Sequence, residues 1–73
     1  MRAFITGCGS GFGHRLAHRL LQLGWDVVAS DPDLEALSDL DGAERYCLDV
    51  RDDDQVAYVC AVAAARPINL INN

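Results

Sequence analysis

Residues 5–24, ITGCGSGFGHRLAHRLLQLG, set glycines at alternate positions 7, 9, 11 and 13 between a short apolar run and an amphipathic stretch. Each glycine costs backbone entropy on folding, so four of them directly ahead of a helix demand a reason. A tight link between a strand and a helix is one reason. The other is a cluster of unpaired backbone N–H groups at a helix N-terminus, backed by the helix dipole, which holds an anion such as phosphate. The flanking sequence has to decide.

Ala3-Phe4-Ile5-Thr6 is a short apolar run closed by Gly7 and reads as a buried strand. Phe12, Leu16, Leu20 and Leu23 then form an apolar stripe at helical spacing, and Gly24 supplies the stop signal. Trp25 to Ser30 is β-branched at its centre and ends before Asp31-Pro32, where proline forbids further ladder pairing, so it reads as a second strand. Leu34, Leu37 and Leu40 mark a short helix or helical turn up to Asp41-Gly42, and Glu44 to Leu48 reads as a third strand. Asp52 with Gln55 fits a capping box ahead of a helix from Asp53 to Ala65, with Val56, Val59, Cys60 and Ala63 on its apolar face. Pro67 stops that helix, and Ile68 to Ile71 reads as a fourth strand. Strands alternating with helices predict an α/β fold, a Rossmann-like parallel sheet with crossover helices. Three crossovers are too few to cover both faces fully, so the layer is expected to be incomplete.

The 73 residues allow one domain at most, of marginal stability by itself. Eleven acids against six arginines and no lysine give a formal charge of −5, which argues against nucleic acid or an anionic membrane surface as partner. Cys8, Cys47 and Cys60 show no metal or disulfide spacing and read as reduced, buried small residues. The N-terminal apolar run is too short for a signal segment or a membrane span, so a cytoplasmic setting is expected.

The dinucleotide fingerprint G-x-G-x-x-G cannot be placed on the glycines, because its last position falls on Phe12, His14 or Leu16. The P-loop signature fails for want of a lysine. Thr6-Gly7-Cys8-Gly9-Ser10-Gly11-Phe12-Gly13 does fit T-G-x-x-x-G-x-G, and here the chain resembles the short-chain dehydrogenase/reductase family. Three further stretches carry the resemblance in order: Gly24 to Asp31 as G-x-x-V-V-x-x-D, the Asp49-Val50 pair in LDVRDDDQV, and INLINN at the end of the sequence.

The resemblance implies that residues 1–73 are part of an NAD-binding domain, cut after the fourth strand. Gly7 would allow the tight turn, Gly11 the approach of backbone to the pyrophosphate, and Gly13 the close packing of helix on strand. Gly9 is not demanded by that pattern and would add flexibility. Ser10 and the Phe12 amide would donate to phosphate, while the Phe12 ring would fill the core. Asp31 would accept both adenosine ribose hydroxyls and repel a 2′-phosphate, hence NAD rather than NADP. Asp49 and the Val50 amide would address the adenine, Asn72 would hold the sheet, and Asn73 would lie near the cofactor ribose.

The family transfers hydride between a nicotinamide and a carbonyl or alcohol with a Ser and a Tyr-x-x-x-Lys pair beyond the fourth strand, so no catalytic residue is expected here. Tyr58 lies inside the third helix with no lysine to partner it, and reads as packing or partly exposed. His14 and His18 have a metal-capable i, i+4 spacing, but no third ligand is expected nearby, so they read as a solvated helix face rather than a metal site. Two functions stay open: the cofactor-binding part of an NAD-dependent oxidoreductase, or a non-catalytic nucleotide-binding or interaction module. The partner would be the rest of the same fold, or a second copy through the open sheet edge.

Overall fold

The computed structural model describes residues 1–72. Four strands, β1 (Arg2–Ile5), β2 (Asp26–Asp31), β3 (Glu44–Cys47) and β4 (Leu70–Asn72), form one parallel sheet in the order β3-β2-β1-β4. Helix α1 (Gly11–Gln22) connects β1 to β2, a short 3-10 helix (Leu34–Leu37) lies between β2 and β3, and α2 (Asp53–Ala63) connects β3 to β4.

Alternation along the internal strands builds two cores, one on each face. Ala3, Ile5, Val27 and Ala29 point to the side covered by α1 and the 3-10 helix, where they meet Ala17, Leu20, Leu37 and Leu40. Phe4 and Val28 point the other way, against Val59 and Ala63 of α2 and against Leu48. The N-terminal ends of the strands are pinned by charge, with Arg66 reaching Asp26 at 3.2 Å and Glu44 at 3.3 Å.

Helix α1 turns a different face inward from the one the leucine spacing predicts. Its buried residues are Gly13, Ala17 and Leu20, with Leu16 and Leu21 packed beside them, whereas Phe12 is 62% exposed and Leu23 58%. Small residues let the helix backbone approach the sheet closely, so they outrank the larger phenylalanine for the inner face. The predicted core role of Phe12 is therefore corrected. The stop at Gly24 holds in detail: with φ of +84°, it lets its own N–H reach Leu21 O and that of Trp25 reach Leu20 O, both at 3.0 Å.

Strand β1 runs one residue earlier than Ala3–Thr6, and β2 one residue later than Trp25–Ser30. Helix α2 ends at Ala63 rather than Ala65, because the Ala64 N–H closes the last turn on Cys60 O. The last strand starts at Leu70 rather than Ile68. Cys60 points to solvent, being off the Val56, Val59 and Ala63 face, and Cys47 is exposed on edge strand β3. Only Cys8 is a buried cysteine, and burial pushes its thiol up to about 11.

Half of the capping box forms. The Asp52 carboxylate accepts the Asp54 and Gln55 N–H groups at 3.1 and 3.2 Å, but Gln55 Oε1 accepts the Asp49 N–H instead of that of Asp52, which is already donated to Asp49 O. Replacing Asp52 by Ala should cost about 0.5–2 kcal/mol in urea unfolding, while Asp52→Asn, which keeps an acceptor, should cost much less. Equal losses for both variants would sink the capping assignment.

Candidate functional site

The chain moves outward from β1 through β2 to β3 and then crosses back to place β4 on the other side of β1. In such a sheet a crevice opens beyond the C-terminal end of the strand where the order reverses, here β1. Backbone bonds fix its walls: Thr6 N–H donates to Asn72 O, Cys8 N–H to Ser30 O and Leu48 N–H to Asp31 O, all at 3.0 Å. A cleft of about 490 Å³ lies there, lined by Thr6, Gly7, Pro32, Leu48 and Val50.

The glycine turn is shaped by contacts that leave no room for side chains at two positions. A Cβ on Gly13 would sit 2.7 Å from the carbonyl oxygen of Gly7, so α1 starts in direct contact with the turn that leaves β1. A Cβ on Gly9 would sit 2.7 Å from the Asp31 carboxylate. Gly9 thus has a steric role that the sequence pattern did not show: its N–H donates to Asp31 Oδ2 at 2.9 Å, tying the turn to the end of β2. Gly7, at φ +68°, makes the left-handed bend that starts the turn.

The two helices begin differently. At α2, Asp52 caps the first turn and Asp53 and Asp54 add negative charge to it. At α1, Ser10 occupies the N-cap position without a side-chain hydrogen bond, and the first turn carries no acidic residue. An α-helix leaves its first N–H groups without intrahelical partners, so those of Gly11, Phe12 and Gly13 form a donor cluster at the positive end of the dipole. Ser10, Gly11 and Phe12 are exposed.

Asp31 lies against this turn, half-buried, with Oδ2 on the Gly9 N–H and Oδ1 on the Asp33 N–H at 2.9 Å. An ionised carboxylate offers about four lone-pair sites, so each oxygen keeps acceptor capacity. Asp49 and Val50 follow β3 at the same edge, and Val50 is exposed along the cleft. The Asp49 carboxylate is engaged by Arg51, which donates its backbone N–H, Nε and Nη2 at 2.9 to 3.0 Å and holds that carboxyl down at about 2. Asn72 joins the sheet through its backbone, and its buried Oδ1 has no hydrogen-bond partner among the described residues. Asn73 lies outside the described residues.

Two other sequence expectations have an outcome here. Tyr58 is 64% exposed on α2. His14 and His18 lie on a partly exposed face of α1, with side chains 24% and 43% exposed, and there both Nε2 atoms reach the carboxylate of Asp39, a residue 25 and 21 positions away. Among the described residues no helix is long and apolar enough to cross a membrane.

With this geometry in place, similarity to known proteins is informative. The chain is 42% identical to the sulfoacetaldehyde reductase of Chromohalobacter salexigens over 96% of its own length and 32% of that protein. It is 41% identical to the D-erythrulose reductase of Gallus gallus, over 99% of this chain and 30% of that one. It therefore spans about a third of the length of these curated relatives. The 3-ketoacyl-(acyl-carrier-protein) reductase of Brucella melitensis, solved in complex with NADH, superposes with a TM-score of 0.83 at 27% identity, over 96% of this chain and 32% of that one. The short chain dehydrogenase family profile matches residues 1–73, so the chain belongs to the short-chain dehydrogenase family.

Proposed function

We infer that this chain is the NAD(H)-binding part of a short-chain oxidoreductase that moves hydride between a nicotinamide and a carbonyl or alcohol. The observation that carries the reading is the uncapped N-terminus of α1, set at the switch point of the sheet with the Asp31 carboxylate against its turn. Its residues suit a dinucleotide. The exposed N–H cluster has the charge for a pyrophosphate, the cleft beside Val50 has apolar walls for a flat ring, and Asp31 has lone pairs for ribose hydroxyls.

In this reading Gly7, Gly11 and Gly13 shape the cradle, Ser10 and the Phe12 N–H donate to phosphate, and Asp31 holds the ribose. Val50 borders the adenine with Asp49, whose N–H is steered by Gln55, and Asn73 is assigned to the cofactor ribose. The cofactor supplies the hydride-transferring ring. These residues bind and orient it, and they set the Asp31 carboxylate where a 2′-phosphate would otherwise sit. No lysine occurs in the sequence, so proton transfer to the substrate oxygen belongs to other parts of the enzyme. Both curated relatives are named as reductases, which supports a reductive carbonyl chemistry.

Titrating the full-length protein with NADH and NADPH by fluorescence tests the reading. The unmodified protein should prefer NADH, and Asp31→Ala should narrow that preference by about 1–3 kcal/mol, the range of a charge-assisted polar contact. Asp31→Asn keeps an acceptor for the Gly9 N–H and removes only the charge, so it should narrow the preference with less loss of NADH affinity. Equal affinity for the two cofactors in the unmodified protein would remove the assignment of Asp31.

A further inference from the structure

We propose that His14, His18 and Asp39 form a site for a divalent transition cation of the zinc class, bound through both Nε2 atoms and one Asp39 carboxylate oxygen. Water would complete the coordination on the solvent side.

The three ligand atoms lie within 4.8 Å of one another. His14 Nε2 is 2.9 Å from Asp39 Oδ1 and His18 Nε2 is 3.0 Å from Oδ2, while the rings meet edge to face with centroids 4.7 Å apart. Both imidazoles thus aim the same nitrogen at one carboxylate. Imidazole nitrogens and carboxylate oxygens are zinc ligands at about 2.0–2.2 Å, and two histidines one helical turn apart share a face. In the neutral tautomer that carries its proton on Nδ1, each imidazole directs its Nε2 lone pair at the region the carboxylate already borders. A cation bound there would hold both nitrogens and the carboxylate oxygen, with the ligands closing from the present 2.9 and 3.0 Å contacts to metal-bond distance.

Both sides of the site are anchored. The histidines sit on α1 next to Gly13 and Ala17, which are buried against the sheet. Asp39 lies between Leu37 and Leu40, both fully buried, and the Leu40 N–H to Leu37 O bond of 3.0 Å closes the turn that presents it. The carboxylate side chain is 56% exposed, so it has freedom to close on a cation and leaves an approach for water. A bound cation would clamp the start of α1 to the connection that follows Asp31, two segments that border the cofactor cleft. It would do so without entering that cleft, and the inference stands independently of the cofactor assignment.

The test uses full-length, tag-free protein carrying Cys47→Ser and Cys60→Ser, because those exposed thiols would take up zinc by themselves. After chelator treatment, zinc chloride is titrated by calorimetry, and the histidine side-chain nitrogens are followed by NMR. The expected result is one-to-one binding with shifts at Nε2 of His14 and His18. His18→Gln and Asp39→Asn should each weaken binding by at least about tenfold, a loss that removal of even outer-shell partners of a metal produces. Zinc should also raise the thermal midpoint, and the rise should vanish in His14→Gln/His18→Gln. Identical isotherms for the parent and His18→Gln, or NMR shifts confined to other residues, would overturn the proposal. Should the double variant fail to fold, the His18→Gln comparison decides alone, since that side chain is 43% exposed.

Discussion

Gly13→Ala is expected to destabilise the protein and to weaken cofactor binding together. Alanine is the better helix former by about 1 kcal/mol, so intrinsic propensity alone predicts a gain. Packing reverses the sign. The new Cβ would stand 2.7 Å from the Gly7 carbonyl oxygen and 3.2 Å from its carbon, closer than atoms of this kind approach. The obstacle is backbone, held between β1 and the turn, so relief requires α1 to lift away from the sheet. Overpacking of this kind costs about 1–3 kcal/mol and occasionally more. Lifting α1 also moves its N–H cluster relative to Asp31 and the cleft, so NADH affinity should fall even where the variant still folds.

Gly9→Ala is the informative contrast. Its Cβ would meet the Asp31 carboxylate, also at 2.7 Å, but that group is a side chain and can swing aside. Stability should therefore change less than in Gly13→Ala, while the NADH over NADPH preference erodes because the carboxylate is displaced. Urea unfolding and cofactor titration of both variants check the pair. An unchanged unfolding midpoint for Gly13→Ala would contradict the packing assignment of that glycine.

The order of strands and helices was legible because each apolar run ends in strong punctuation: Gly7 after β1, Gly24 before β2, Asp31-Pro32 after β2, Pro67 before β4. The crevice followed from the alternation, since a parallel sheet with crossover helices puts its reversal beside the first strand. What misled was size. Counting large apolar residues put Phe12 and Leu23 on the inner face of α1, whereas contact with the sheet is made through Gly13 and Ala17, which a hydrophobicity count undervalues. Cys60 failed for a related reason, since one position along a helix turns a side chain by about 100° and Val59 already holds the core position.

Contacts between distant residues were out of reach. Nothing local in the sequence shows that Gly9 must accommodate the carboxylate of Asp31, which is 22 positions away. Nor does anything local pair Asp39 with His14 across 25 positions. The first contact exists because the turn after β1 lies beside the end of its paired strand β2, and the second because α1 and the connection after β2 lie on the same face of the sheet, which the pattern implies only once handedness and layer are known. Asp49 shows the opposite case: its position at the cleft edge was legible, but its engagement by Arg51 two residues on was not.

A polypeptide limited to residues 1–73 should neither reduce NAD with alcohols nor behave as a stable monomer. Hydride transfer to or from a carbonyl carbon needs a partner that moves a proton at oxygen, and a tyrosine does so near neutral pH only when a neighbouring cation lowers its pKa. This stretch contains no lysine, and its Tyr58 stands exposed on α2, away from the cleft. Cofactor binding by the glycine turn cannot replace that group, so turnover should be absent rather than slow. Stability fails on different grounds. Among the described residues β4 pairs only with β1, and beside it an apolar groove of about 340 Å³ runs along Phe4, Cys60, Ala63, Ile68 and Ile71, with Ile71 66% exposed. An open edge bearing exposed apolar side chains pairs with whatever strand or helix reaches it, which in a solution of this segment alone is another copy. Light scattering should therefore show mass rising with concentration, and Ile71→Lys, which charges that edge, should suppress the association while leaving the sheet intact by circular dichroism. A monodisperse monomer at every concentration would contradict the open-edge argument, and alcohol-dependent NADH formation by the purified segment would overturn the catalytic one.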